Sequence, residues 1–197
     1  MAAWMCVAAM AMAEPSVAKT YMDYPEWKLL DKIWFCDLMD DDELAAKETL
    51  LAEGEAAYEA MMAVVRECDD DCVVSSALAI LIESQGDKRA VVAELKDLFA
   101  KRLPQAGEVD EWTIYYMANA IAKMGGEEDA EVLIPMLDHS RWIVRVNGAR
   151  FLGRLGGQRA LDALEQAKTQ LQNQGATEKG AIEEAISAIE KRLAKQE

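Results

Sequence analysis

Histidine is almost missing from this chain, with His139 the single example in 197 residues. A histidine-rich metal centre is thereby excluded, and a histidine-based triad would have to rest on that one side chain. Proline is scarce at 4 residues and aromatic residues make up only 7% of the chain. Alanine and leucine dominate the apolar content over valine and isoleucine, so propensity favours helix strongly over strand. Signatures for phosphate binding and nucleophilic catalysis are absent too: there is no G-x-S-x-G, no G-x-x-x-x-G-K, no G-x-G-x-x-G after a strand and no H-E-x-x-H. Basic charge is in deficit, with 21 Lys+Arg against 36 Asp+Glu and a net charge of −15. A field of that sign repels nucleic-acid backbones.

What is present is a 52% apolar content, enough for one domain to bury a core. The charge is uneven. Residues 1 to 111 hold 24 acidic and 10 basic side chains, whereas residues 112 to 197 hold 12 and 11, with five arginines between Arg141 and Arg159.

Met1 to Ala13 carry no charge, end in Ala11-Met12-Ala13 and precede Glu14-Pro15-Ser16, the pattern of a secretory leader and its cleavage site. No Lys or Arg precedes the apolar run, so a buried helix is the competing reading. Export to a periplasm or the cell exterior is the expectation, with the cytoplasm as the alternative. No later segment is long and apolar enough to cross a membrane. Removal of the leader would leave Cys36, Cys68 and Cys72. In an oxidising compartment the simplest arithmetic is one disulfide and one free thiol, with Cys36 joined to either Cys68 or Cys72; three unreactive thiols is the other outcome.

Apolar residues then recur at helical spacing throughout. Trp27, Leu30, Trp34 and Leu38 mark a first helix opened by Pro25. Asp40 to Glu43 cap a second from about Leu44, Gly54 breaks it, and Asp69 to Asp71 stop the next and cap a helix over Val73 to Glu83. Helices around Val91 to Arg102 and from Asp110 to Met124 follow, the latter stopped by Gly125-Gly126. The acidic clusters, including Asp37, lack the spacing of a calcium loop, and capping explains them without a cation.

Internal comparison is the informative step, because self-similarity at this spacing signals stacked helical hairpins. Trp112 to Gly126 aligns with Ile143 to Gly157: Ala118 meets Ala149, Ile121 meets Leu152, Met124 meets Leu155, and the glycine pairs coincide. Cys72 to Gly86 fits the same register, and Ala181, Ala185, Ala188 and Ile189 make a weaker copy. An all-α solenoid of about four hairpins with an extra N-terminal helix is expected. The divisions are 1–13 as leader, 14–53 as an N-terminal helical segment and 54–197 as the repeat domain.

Over Asp138 to Gly156 the chain resembles the HEAT repeat family, in particular its short bilin-lyase-like type, with Leu137-Asp138 and Val144-Arg145 present and Gly148 and Phe151 standing at alanine positions. The resemblance implies two-helix repeats with the second helix of each pair on the concave side. It also implies that Asp138 and Arg145 form a charge-assisted structural pair tying neighbouring repeats together. It implies no particular reaction.

A helical wheel of the Val144 to Leu155 segment puts Val144, Gly148, Phe151, Leu152 and Leu155 inward and Ile143, Val146, Asn147, Arg150 and Arg154 outward. The repeat register carries the outward stripe to Trp112, Tyr115, Tyr116, Asn119 and Lys123, to Gly180, Glu183, Glu184, Ser187 and Lys191, and to Ser75, Ser76, Ala79 and Glu83. Aromatic residues beside arginines are the types that dominate binding hot spots. The expected function is therefore a non-catalytic scaffold or adaptor that binds a protein or peptide, including one with acidic groups. Its contacts would be Trp112, Tyr115, Tyr116, Asn119, Lys123, Asn147, Arg150 and Arg154, with no cofactor and no catalytic residue. The alternative, drawn from the resemblance, is a lyase-like or chaperone-like subunit holding a tetrapyrrole or similar ligand in the same groove. A DNA-glycosylase role, also known among HEAT-like proteins, conflicts with the charge.

Overall fold

The computed structural model describes residues 21–30, 41–107, 111–170 and 175–195. The leader, Cys36, Trp34 and Leu38 lie outside the described residues. Those described are helical, with no strand among them. A short 3-10 turn, Tyr21–Asp23, precedes α1 (Trp27–Leu30), and α2 (Asp41–Glu53), α3 (Glu55–Glu67) and α4 (Asp71–Glu83) follow. After α5 (Lys88–Arg102) and a 3-10 turn at Leu103–Gln105 come α6 (Glu111–Met124), a 3-10 helix over Glu127–Asp138, α7 (Trp142–Leu155), α8 (Gln158–Gln170) and α9 (Ala176–Leu193).

The breaks follow from local chemistry. Gly54 adopts φ 62°, a left-handed value that costs glycine little, and it separates α2 from α3. Asp70 caps α4 by accepting from the backbone N–H of Cys72 and Val73, at 2.9 and 3.1 Å. Asp87 does the same for α5 through Arg89 and Ala90. Because the cap sits one residue before the helix, α4 and α5 begin two and three residues earlier than hydrophobic spacing alone predicts. The segment between the Gly125-Gly126 stop and α7 takes 3-10 form. Pro135 has no N–H for an α-helical bond and disfavours α geometry at Ile134. Asp129 anchors the start of this segment by accepting from the Gly126 N–H at 2.9 Å.

Helices α4, α6, α7 and α9 pack side by side in that order. Each also packs against the element before it in the chain: α3 on α4, α5 on α6, the 3-10 helix on α7, and α8 on α9. Between these two rows runs one continuous core that includes Met61, Leu78, Leu95, Phe99, Met117, Ile121, Leu133, Leu152, Leu164 and Ile189. Burial of each such side chain contributes about 1.5–3 kcal/mol. Two of the close approaches that depend on glycine lie within α7. A Cβ on Gly148 would lie 2.5 Å from the Met136 Cβ, and one on Gly153 would lie 2.9 Å from the Ala185 Cα. The glycine at the expected alanine position of α7 is thus the residue that admits the 3-10 helix.

Polar bridges join successive elements along both rows. In the row α3, α5, 3-10 helix, α8, Arg66 pairs with Glu94, Lys96 with Asp129 at 2.6 Å, and Arg159 with Glu131. In the other row Thr113 donates to Asp71, Arg141 pairs with Glu111 at 3.1 Å, and Arg145 pairs with Glu178 at 2.6 Å. Every bridge links neighbours. Burial alone would raise the Asp129 carboxyl, but the Lys96 ammonium and the Gly126 N–H outweigh it and hold the group below the usual carboxylate range.

Three inward-outward assignments need correction. Val146 is 1% exposed, because α7 is covered on three sides by α6, α9 and the 3-10 helix rather than on one. Ser75 and Ser76 are buried as well, their short side chains turning back to the Cys72 carbonyl at 2.8 and 3.0 Å.

Candidate interaction surface

The aromatic stripe expected on α6 forms a single cluster. Trp112 is 55% exposed, and its ring centroid lies 6.1 Å from Tyr115 and 6.4 Å from Tyr116. The two tyrosine rings meet edge to face at 5.4 Å, and Tyr115 reaches Phe151 of α7 at 5.5 Å. Spacing i, i+3, i+4 on one helix brings the first three together. Phe151, read as core, joins them from the neighbouring helix, and the Arg154 guanidinium carbon sits 5.9 Å from its ring centroid.

Both tyrosines are half-buried. Burial, followed by the neighbouring Cys72, Tyr115 and Asp71, raises the Tyr116 phenol, while its hydrogen bond with Ser75 works the other way. Tyr116 therefore covers the serine that the wheel placed outside. Between α4 and α6 lies a groove of about 180 Å³ lined in part by Ala79, Ile82, Tyr115, Tyr116, Asn119 and Lys123.

Lys123, Arg150 and Arg154 are exposed, and Asn119 and Asn147 half-buried. Among the described residues neither Arg150 nor Arg154 forms an ion pair. Two exposed acids on the adjoining helices of this row pair with lysines instead: Glu83 with Lys47 at 2.7 Å and Glu183 with Lys168 at 3.4 Å. One exposed aromatic escaped the sequence reading. Trp142, the first residue of α7, is 54% exposed. It lies one position before the aligned block, so the wheel never included it; a tryptophan at a helix start beside Arg141 was the available signal.

The structural pair is different from the one expected. Arg145 finds its carboxylate in Glu178 of α9, through bonds of 2.6 and 3.1 Å, and not in Asp138, which is exposed. Its remaining donors hold the carbonyls of His139 and Ser140, at 2.6 and 2.8 Å. His139 accepts at Nδ1 from the Arg141 N–H at 3.1 Å, which assigns it to the turn. Cys68 is a buried thiol and Cys72 is exposed; among the described residues there is no disulfide, and pairing with Cys36 falls outside them. Nor, among the described residues, do three His, Cys, Asp or Glu side chains gather as metal ligands, and no helix is long and apolar enough to span a membrane.

No protein-family model matches the chain, and no curated protein or solved structure shows significant similarity to it.

Proposed function

We propose that this protein is a non-catalytic scaffold or adaptor, a short HEAT-like solenoid in which α4, α6, α7 and α9 form the concave row. The observation that carries the reading is Trp112: a tryptophan more than half exposed, fused with two tyrosines into one surface. Tryptophan and tyrosine supply contact area at low entropy cost, and partner residues that cover them exclude water from the hot spot. The side-by-side order of α4, α6, α7 and α9 favours in-register hairpins, because equivalent residues then share a face. The ligand-holding alternative has less support, since sites for drug-sized molecules enclose about 300–1,000 Å³.

Trp112→Ala is the test. It should abolish capture of the native partner and move the melting temperature by no more than about 2 °C, because exposed substitutions stay within about 0.5 kcal/mol. Arg89→Ala on α5 serves as the control and should retain capture. Unchanged capture by Trp112→Ala would refute the reading. Export belongs to the same proposal: the mature amino terminus from a cell envelope or medium fraction should be Glu14, and an intact Met1 on cytoplasmic protein would refute it.

A further inference from the structure

We infer that the partner presents an extended segment with an apolar side chain and, about four residues away, a pair of carboxylates; this rests on the docking role proposed above. The first contact is the groove between α4 and α6, whose floor is Leu78, Ala79 and Ile82 and whose wall is Tyr115 and Tyr116. It takes one apolar side chain. The second contact is the exposed pair Arg150 and Arg154, which stand one turn apart on α7 and so share a face.

Charge selects the occupant of that second contact. The chain carries 36 acidic side chains, yet among those described none pairs with either guanidinium, while Arg66, Arg141, Arg145 and Arg159 each hold a carboxylate. Two like charges at i, i+4 repel, so the bare pair costs the helix a few tenths of a kcal/mol. A carboxylate relieves that repulsion and matches the planar guanidinium fork. The Arg154 guanidinium carbon lies 5.9 Å from the Phe151 ring centroid, within reach of a cation–π contact. Lys123 extends the positive strip towards the groove.

Distance sets the spacing. Packed helices lie about 8–10 Å apart, so the line of Arg150 and Arg154 on α7 is roughly one and a half interhelix spacings, about 12–15 Å, from the α4/α6 groove. An extended chain advances about 3.3 Å per residue, which gives about four residues between the two contacts.

The experiment uses the full chain and labelled synthetic peptides in which one leucine precedes a Glu-Glu pair by two, four or eight residues. Matched peptides carry Gln-Gln or a single phosphoserine in place of the pair. Fluorescence anisotropy should give at least about tenfold tighter binding for the four-residue Glu-Glu peptide than for its Gln-Gln match, equivalent to about 1.4 kcal/mol. Arg150→Ala with Arg154→Ala should erase that preference, and Trp112→Ala should weaken every peptide equally. Equal binding of the Glu and Gln peptides would overturn the arginine assignment and leave the docking role standing. A preference for phosphoserine alone would overturn it in favour of a phosphopeptide. No binding of any peptide by folded protein would overturn both.

Discussion

Replacing Glu178 with glutamine should destabilise this protein more than any exposed charge substitution. Its side chain is 3% exposed and accepts two bonds from Arg145, itself 15% exposed. Glutamine keeps the shape and one acceptor but leaves the guanidinium charge uncompensated in a partly buried site. Breaking a buried pair costs about 3–5 kcal/mol. The lower end applies here, because the His139 and Ser140 carbonyls still receive two of the Arg145 donors. A loss of about 3 kcal/mol is large against a total of about 5–15 kcal/mol. For a chain of this size it lowers the melting temperature by roughly 6–12 °C. Urea unfolding followed by circular dichroism at neutral pH measures it directly. Arg145→Met with Glu178→Leu should cost less than Glu178→Gln alone, since removing both charges also removes their desolvation penalty. A Glu178→Gln loss below about 1 kcal/mol, or single costs that simply add in the double variant, would refute the reasoning.

Gly148→Ala should cost about 1–3 kcal/mol, because its new methyl meets the Met136 Cβ, which cannot rotate away. Gly180→Ala, in open space on α9, should instead gain about 0.5–1 kcal/mol from helix propensity. Equal effects of the two in denaturant would contradict the close approach. Asp129 has a depressed carboxyl in the fold, so its contribution is complete above the unfolded value of about 3.9 and lost as pH falls through the lower folded value. Asp129→Asn should therefore cost about 1 kcal/mol at neutral pH and nothing well below pH 3; stability curves that run parallel across that range would exclude the Lys96 pairing as the cause.

Helix breaks were legible at Gly54, through its backbone freedom, and at Asp69 to Asp71, where Asp70 caps α4; the Asp87 cap of α5 was missed because hydrophobic spacing starts only at Val91. The aromatic cluster was legible because i, i+3 and i+4 is a local spacing. Properties fixed by other elements were not. Val146 is buried by three neighbours at once, and Ser75 by a tyrosine from the adjacent helix. Arg145 has a carboxylate within seven positions in Asp138, yet the one it takes is 33 residues away. The form of residues 127–138 depends on Pro135 and on the space that Gly148 leaves, and neither appears in a hydrophobic period.

The polar bridges also say how this molecule comes apart. Among the described residues, hydrogen bonds between side chains of different elements span sequence separations of 28, 28, 30, 33, 33, 36 and 42 residues, about one hairpin each. No rivet in that set fastens the first hairpin to the last. The outermost pair, α8 with α9, can peel away while α4 and α6 keep their neighbours and α7 loses one of its three, so amide protons in the middle should outlast those at the ends, as in a zipper opened from one side.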